Sequence, residues 1–159
     1  MRNNIGGLGK YYPVSLVKEM IHMSPEELKH FIQRFDAMFN TPDINIADEI
    51  FAPHFRTDQP MGLKFNDLAS FKAYVQGFYI SFPDMRQETY DSILTADKFV
   101  LRVCYFGTHQ GDFMGVPATG RKVVMPGIGI FRFEGNKVVE NWAQYDVFAV
   151  YQTVTAPAK

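Results

Sequence analysis

The sequence has one cysteine, one tryptophan and a net charge of −1 left over from 16 basic and 17 acidic residues. A single thiol excludes an intrachain disulfide, so the fold cannot rest on such staples. Lys and Arg are scattered along the chain. The basic stripe that a nucleic-acid or anionic-membrane partner favours is missing. No stretch approaches the roughly 18 apolar residues of a membrane-spanning helix. Met1–Lys10 is glycine-rich and carries no hydrophobic signal core, which makes a cytoplasmic protein the expectation. No His/Cys/Asp/Glu set has metal-ligand spacing, no glycine loop follows a strand in phosphate-binding style, and no serine sits in a nucleophile elbow.

What the chain does have is aromatic and soft apolar surface: 15 Phe, 8 Tyr and 8 Met among 159 residues. A chain of this length is the size of one domain and buries roughly 70 % of its unfolded surface. The aromatic excess suits an apolar cavity, although a tight core or a dimer face would use the same residues.

Hydrophobic periodicity divides the chain in two. Residues 1–23 read as an N-terminal extension, with a short helix over Val14–Ile21 that could pack on a neighbour. Residues 24–154 read as the domain, and 155–159 as a tail. Ser24-Pro25-Glu26-Glu27 combines an N-cap hydroxyl, a first-turn proline and a glutamate three residues after the cap. Leu28, Phe31, Ile32, Phe35, Met38 and Phe39 follow at helical steps and predict an amphipathic helix up to Asn40. A short helix, Ile46–Phe51, and a brief strand, Phe55–Asp58, come next. Asn66 is the expected cap of a second long helix with Leu68, Phe71, Val75, Phe78 and Phe82 on its buried stripe, ending before Pro83. From Asp84 the period becomes two, with strands expected at Met85–Thr95, Phe99–Gln110, Val123–Phe133 and Val138–Tyr145. Helices first and a meander afterwards predict an α+β fold, a cone-shaped curved antiparallel sheet wrapped around the N-terminal helices and enclosing a pocket.

Strand parity sorts the polar side chains. Tyr105, Gly107 and His109 share one side of their strand. Trp142, Gln144 and Asp146 share one side of the last. If that side faces inward, Trp142 is a flat wall of the pocket and Asp146 an acid at its end. Tyr105, Phe31, Phe35, Phe78, Met125 and Phe131 complete the expected lining. Gly127 and Gly129 alternate on the face of Met125 and Phe131, where a missing side chain marks sheet curvature or a close approach. Cys104 has the opposite parity and reads as apolar filler.

Two blocks of sequence resemble a known family. Gly107-Thr108-His109-Gln110-Gly111-Asp112-Phe113-Met114-Gly115-Val116-Pro117-Ala118-Thr119-Gly120-Arg121 is similar to the "H-x-G-x-F-x-G-x-P-x-T-G-[KR]" loop of SnoaL-like polyketide cyclases. Ile130-Phe131-Arg132-Phe133 with Lys137–Asp146 resembles their closing "R-F-x-x-G-K-I-x-E-x-W-x-x-x-D" hairpin, and Tyr151-Gln152 falls on their terminal Q-L-G. The resemblance spans about residues 24–154 in element order. It implies the cone fold named after nuclear transport factor 2. It also implies ring closure by aldol condensation without metal or organic cofactor, on an apolar or aromatic small molecule. The fold hosts isomerases, dehydratases and non-catalytic binding modules as well, so reaction does not follow from fold.

On that resemblance Asp146 matches the acid/base aspartate, expected to be buried, near His109 and raised in pKa. Asp146 also precedes a C-terminal helix, where it would serve as N-cap. His109 falls on the motif histidine, able to polarise a carbonyl or orient Asp146, or to pin the loop by bonding to backbone. Asp58 lies near where steroid isomerases of this fold carry a proton-abstracting aspartate in a D-P-x-G setting. Here the spacing is D-Q-P-M-G, and a solvated turn aspartate is the competing role. His54, after Pro53, reads as a helix-end or surface residue. The outer face of the sheet collects Val100, Phe106, Val124, Ile128 and Ile130, an apolar set that predicts a homodimer.

Overall fold

The computed structural model describes residues 23–41, 43–95 and 97–157. The expected helix at Val14–Ile21 lies outside them. Helix α1 (Pro25–Asn40) starts at the expected capping box: the Ser24 hydroxyl accepts from the Glu27 amide at 3.2 Å, and the Glu27 carboxylate accepts from the Ser24 amide at 2.6 Å. A 3₁₀ turn (Ile44–Ile46) and the single-turn helix α2 (Ala47–Ile50) lead into strand β1 (Phe51–Asp58). The strand is longer than the sequence suggests. Pro53 lies within β1, at a step where the ladder to its neighbour is irregular, as proline in a strand requires.

After β2 (Lys64–Phe65) comes helix α3 (Leu68–Ser81). Its cap is Asp67 and not Asn66: the Asp67 carboxylate accepts from the Ser70 amide at 2.7 Å and the Ser70 hydroxyl at 3.1 Å. Strands β3 (Arg86–Leu94), β4 (Lys98–Thr108), β5 (Lys122–Glu134) and β6 (Lys137–Tyr145) form the meander, and helix α4 (Val147–Thr155) closes the chain.

The sheet has six strands in the order β2-β1-β6-β5-β4-β3. The meander is antiparallel throughout, and β1 joins β6 in parallel. The chain can make that parallel contact because α3 and the first three strands of the meander lie between the two strands in sequence. The sheet curves without closing. Its concave face takes α1 and α3, whose Phe31, Phe35, Phe71 and Val75 join one core with Phe99, Leu101, Phe131 and Phe133 of the strands.

One residue sets the facing of β6. The turn pairs Glu134 with Lys137 and Phe133 with Val138, but the next pair is Arg132 with Glu140. Val139 is therefore an inserted residue, a β-bulge, and every later side chain of β6 is flipped relative to a regular ladder. Asn141, Ala143 and Tyr145 consequently share the concave face with Phe131, Gly129 and Gly127, their partners in register. The glycines at 127 and 129 answer a close approach: a Cβ at Gly127 would collide with the Tyr145 ring, and one at Gly129 with the Phe131 ring and the Asn141 amide.

This packing separates two glycine substitutions. Gly127→Ala should destabilise the fold by about 1–3 kcal/mol, the usual cost of overpacking. Gly77→Ala on α3, where an added Cβ meets nothing within 4 Å, should stabilise it by about 0.5–1 kcal/mol. Thermal melting of the two variants checks the contrast, and an unaffected Gly127→Ala would contradict the close approach.

Candidate functional site

The sheet and helices enclose a cavity of about 40 Å³. Its wall is mostly aromatic. Phe35, Phe78, Tyr105, Met125 and Phe131, expected from the sequence, all line it, together with Phe39, Phe51, Phe55 and Phe71. The rings meet edge to face, as between Phe35 and Phe131 at 5.5 Å and Phe55 and Phe71 at 5.2 Å, the arrangement their quadrupoles prefer. Phe31 packs on these rings but does not reach the cavity. The lining residues that remain half-buried are Tyr74, Phe78, Tyr145 and Val147, and they mark the mouth.

Polar groups are few and uncharged. Gln59 and Asn141 line the cavity and belong to one buried network. Gln59 Nε2 donates to Thr57 Oγ1 at 2.6 Å and to Asn141 Oδ1 at 3.1 Å, and Thr57 Oγ1 donates to the same Asn141 oxygen at 3.0 Å. Asn141 Nδ2 donates to the Ile130 carbonyl at 3.0 Å, tying the network to β5. Three phenols, Tyr74, Tyr105 and Tyr145, supply the rest of the polarity. The Tyr105 and Tyr145 rings are edge to face at 5.5 Å. Burial pushes Tyr74 and Tyr145 up to about 12 and raises Tyr105 well above the ordinary phenol value, because the phenolate loses its hydration. Behind Tyr105, the half-buried Asp36 on α1 accepts from Gln87 and from Thr89 Oγ1 at 2.7 Å, and burial raises its carboxyl above the ordinary aspartate range.

Trp142 is not part of this wall. The bulge at Val139 turns it to the outer face, where it stands opposite Ile130 and is 37 % exposed. Asp146 follows the last strand residue and is exposed, contrary to the expected burial. One of its oxygens accepts from the Ala149 amide at 2.9 Å, capping α4, and the residues on either side of it, Tyr145 and Val147, line the cavity. Asp58 is exposed as well, 3.5 Å from Lys64 Nζ, because β1 alternates and its inward neighbours are Thr57 and Gln59. His54 is exposed on β1.

His109 is fully buried, yet it bonds to Thr119 Oγ1 at 2.9 Å through Nδ1 and not to Asp146. Its ring packs on Phe82 and Phe113, and these rings, not the imidazole, face a narrow extension of the cavity. Nε2 is buried without a hydrogen-bond partner. The surrounding motif is a clamp. The His109 amide donates to the Arg121 carbonyl at 2.8 Å, and the Gly120 amide to the His109 carbonyl at 2.8 Å. Gly111 presses on the Ile80 carbonyl, and its neighbour Gln110 donates to Ser81 at 2.9 Å, fixing the end of α3. The Arg121 guanidinium reaches the carbonyls of Thr153 at 2.7 Å and Pro157 at 2.9 Å, satisfying groups that the end of α4 leaves open.

Among the described residues no group of three or more His, Cys, Asp or Glu converges as a metal-binding set, and no helix is long and apolar enough to cross a membrane. Sequence reasoning missed Gln59, Asn141, Tyr74 and Tyr145. The pair Gly127 and Gly129 was the available signal, since something large must approach a central strand where two inward side chains are missing.

A curved sheet on two helices, with an aromatic cavity and its neutral polar pole between them, defines an α+β cone. Comparison with known proteins places it further. The sequence profile of the SnoaL-like polyketide cyclase family matches residues 29–154, and the chain belongs to that family. The chain is similar to the crystal structure of a candidate SnoaL-like polyketide cyclase from Jannaschia sp. CCS1, at 23 % identity and TM-score 0.77 over 86 % of this chain and 98 % of that one. A candidate polyketide cyclase from Acidithiobacillus ferrooxidans is 26 % identical, TM-score 0.73, over 86 % and 100 %. A ketosteroid isomerase-like fold from Catenulispora acidiphila, solved with trimethylamine, is 12 % identical with TM-score 0.69 over 85 % and 96 %, a likeness of fold alone. No curated protein matches the chain.

The buried amide network carries a prediction of its own. Asn141→Ala removes the acceptor shared by Thr57 and Gln59, and should cost about 1–3 kcal/mol as those groups are left unsatisfied. Denaturant unfolding measures it, and an unchanged midpoint would show that water replaces the amide.

Proposed function

We propose that this protein is a cyclase-type enzyme that takes a neutral apolar or aromatic carbonyl compound into the cone and closes a ring by intramolecular aldol condensation. The observation that supports the reading is an aromatic cavity, in a chain of the SnoaL-like family, whose mouth is flanked by a carboxylate. Asp146 stands between two lining residues and leaves one carboxylate oxygen outside its helix-capping bond. In the proposed reaction it takes a proton from the carbon beside a carbonyl. The resulting enolate carbon attacks a second carbonyl of the same molecule, forming the C–C bond. The alkoxide so produced takes the proton back. His109 acts here as a positioning residue, holding the loop that ties α3 to α4 around the mouth.

A ligand-binding module is the second reading, favoured by the absence of any carboxylate, imidazole or ammonium group among the lining residues. Asp146→Asn separates the two, because asparagine also caps helices but cannot accept the proton. Enzyme chemistry at Asp146 requires ring closure of polyketone precursors to fall at least about 100-fold with melting unchanged. Asp146→Ala should in addition cost about 0.5–2 kcal/mol of stability. Full turnover in Asp146→Asn would end the catalytic assignment and leave the binding module.

We propose further that two copies pair through the outer face of the sheet. Val124, Ile128 and Ile130 are 53 %, 48 % and 41 % exposed there, and Trp142 adjoins them. Clusters of this kind on a sheet face are usually covered. Light scattering should return twice the chain mass of 18.2 kDa, and Ile128→Arg should halve it. A monomer across the micromolar range for the unaltered protein would refute the pairing.

A further inference from the structure

Among the described residues that line the cavity, Gln59 carries a polar atom whose role is fixed and whose bond is open. A chain of bonds that starts at the backbone fixes the role. The Ile130 carbonyl can only accept, so the Asn141 terminus facing it at 3.0 Å is Nδ2. Oδ1 therefore faces Thr57 and Gln59 as an acceptor. The Gln59 terminus 3.1 Å from that oxygen must be Nε2, and both of its protons are used, the second on Thr57 Oγ1 at 2.6 Å. Oε1 is left outside the network. It accepts from no described residue and is not sealed from solvent, although Gln59 as a whole is 6 % exposed. The backbone holds the side chain in place: the Gln59 amide donates to the Leu63 carbonyl at 2.8 Å, and Thr57 is in register with Asn141. Since Gln59 lines the cavity, the open oxygen belongs to the cavity wall.

The three phenols of the lining do not discriminate in this way. A hydroxyl both donates and accepts, so Tyr74, Tyr105 and Tyr145 can answer a ligand group of either kind. An amide oxygen can only accept. A ring that displaces water from Oε1 and brings no donor leaves a buried acceptor unpaired, which costs more than the bond itself is worth. We propose that Gln59 Oε1 is the acceptor that binds a hydroxyl of the ligand, and that the cavity prefers neutral rings bearing an O–H, a phenol or an enol, to rings of the same shape without one. The inference rests on the reading of the cone as the site of a neutral small molecule and adds the group that selects it. It fits the proposed ring closure, in which a dicarbonyl stretch offers its enol hydroxyl and the aldol product its new alcohol. A charged donor is disfavoured, because no carboxylate is among the described lining residues. A cavity of about 40 Å³ holds only a few waters, so a ring enters by displacing the half-buried rim of Tyr74, Phe78, Tyr145 and Val147.

Phenol and toluene, matched in shape, test this on the full chain by calorimetric titration, with the carbon-13 resonance of the Gln59 side-chain carbonyl as the local signature. Phenol should move that resonance downfield, as acceptance of a hydrogen bond does, and toluene should not. Gln59→Met keeps the length of the side chain and removes the acceptor. It should lower the affinity for phenol relative to toluene about fivefold, the worth of one neutral hydrogen bond. Thr57→Val removes a partner of Nε2 and leaves Oε1 untouched, so the ratio should stay as in the unaltered protein. A Gln59 resonance that phenol does not move, or a ratio unchanged by Gln59→Met, would overturn the proposal. The resonance is read on the unaltered protein, so the proposal can fail even where Gln59→Met does not fold. A ratio that falls equally in Thr57→Val would make Gln59 a structural residue and overturn it as well. Failure of both rings to bind would overturn it together with the reading of the cone as an apolar ligand site. Full turnover in Asp146→Asn, by contrast, leaves the phenol signature in place, so the two readings fail separately.

Discussion

The insertion of Val139 into β6 is the constraint on which the inside of the cone depends. A regular ladder from the same turn would pair Gly127 with Gln144 and Phe131 with Glu140, and would put the Trp142 indole and two polar side chains on the concave face. The bulge replaces them with Asn141, Ala143 and Tyr145. On the outer face the irregular step is flanked by Glu140, which accepts from Arg132 at 2.9 Å and Arg56 at 3.2 Å. These ion pairs are partly exposed and hold little energy of their own. The buried side of the bulge contributes more, since it buries Val138 and Val139 on successive residues. Extra twist at a bulge also helps the sheet to curl, so the residue that chooses the lining also bends the wall around it.

Phe99 and Phe131 stack at 4.9 Å across the β4–β5 ladder and form the floor against which Phe31 of α1 packs at 4.7 Å. The space beside positions 127 and 129 is filled by the Tyr145 and Phe131 rings and the Asn141 amide, and the void that remains lies between these groups of the sheet and the rings of α1 and α3. The polarity on its β6 side is that of Asn141 and Tyr145, brought there by the insertion.

Much of the scaffold was legible in the sequence because short-range chemistry determined it. The capping box at Ser24 and Glu27, the stripes of α1 and α3 and the change of period after Pro83 depend on neighbours within a few residues. The inward parity of β5 was legible too, since that strand alternates cleanly and puts Met125 and Phe131 at the cavity; β4 buries Val103, Cys104 and Tyr105 in succession, and its register with β5 sets Tyr105 beside Met125. The facing of β6 was not legible by parity alone. Parity gives two sets and no sign, and a bulge reverses the sign that the turn implies. Trp142 looked like a pocket wall because it is large and apolar, yet its partner in register, Ile130, is an outward residue of β5. The parallel contact of β1 with β6 was hidden for another reason: it joins segments more than eighty residues apart, as in the pair Thr57 and Asn141, and no local signal announces it.

The two motif blocks gain distinct physical meanings from this arrangement. In the loop block the histidine, threonine and arginine that make the family pattern recognisable engage the protein itself: His109 with Thr119, Arg121 with the end of α4, Gly111 with the end of α3. Such a pattern is constrained because two helix ends and a strand must meet at one point, and substitution of any member leaves a buried polar group or a steric clash. In the closing block the motif tryptophan faces outward and the motif aspartate caps a helix, while the residues between and beside them, Asn141 and Tyr145, carry the polar pole. Residues that define a family by their spacing can therefore hold the frame, and the side chains that meet a ligand can sit one position away on the opposite face. In a strand that displacement costs nothing in backbone geometry, which lets one cone hold its shape while its interior chemistry is exchanged.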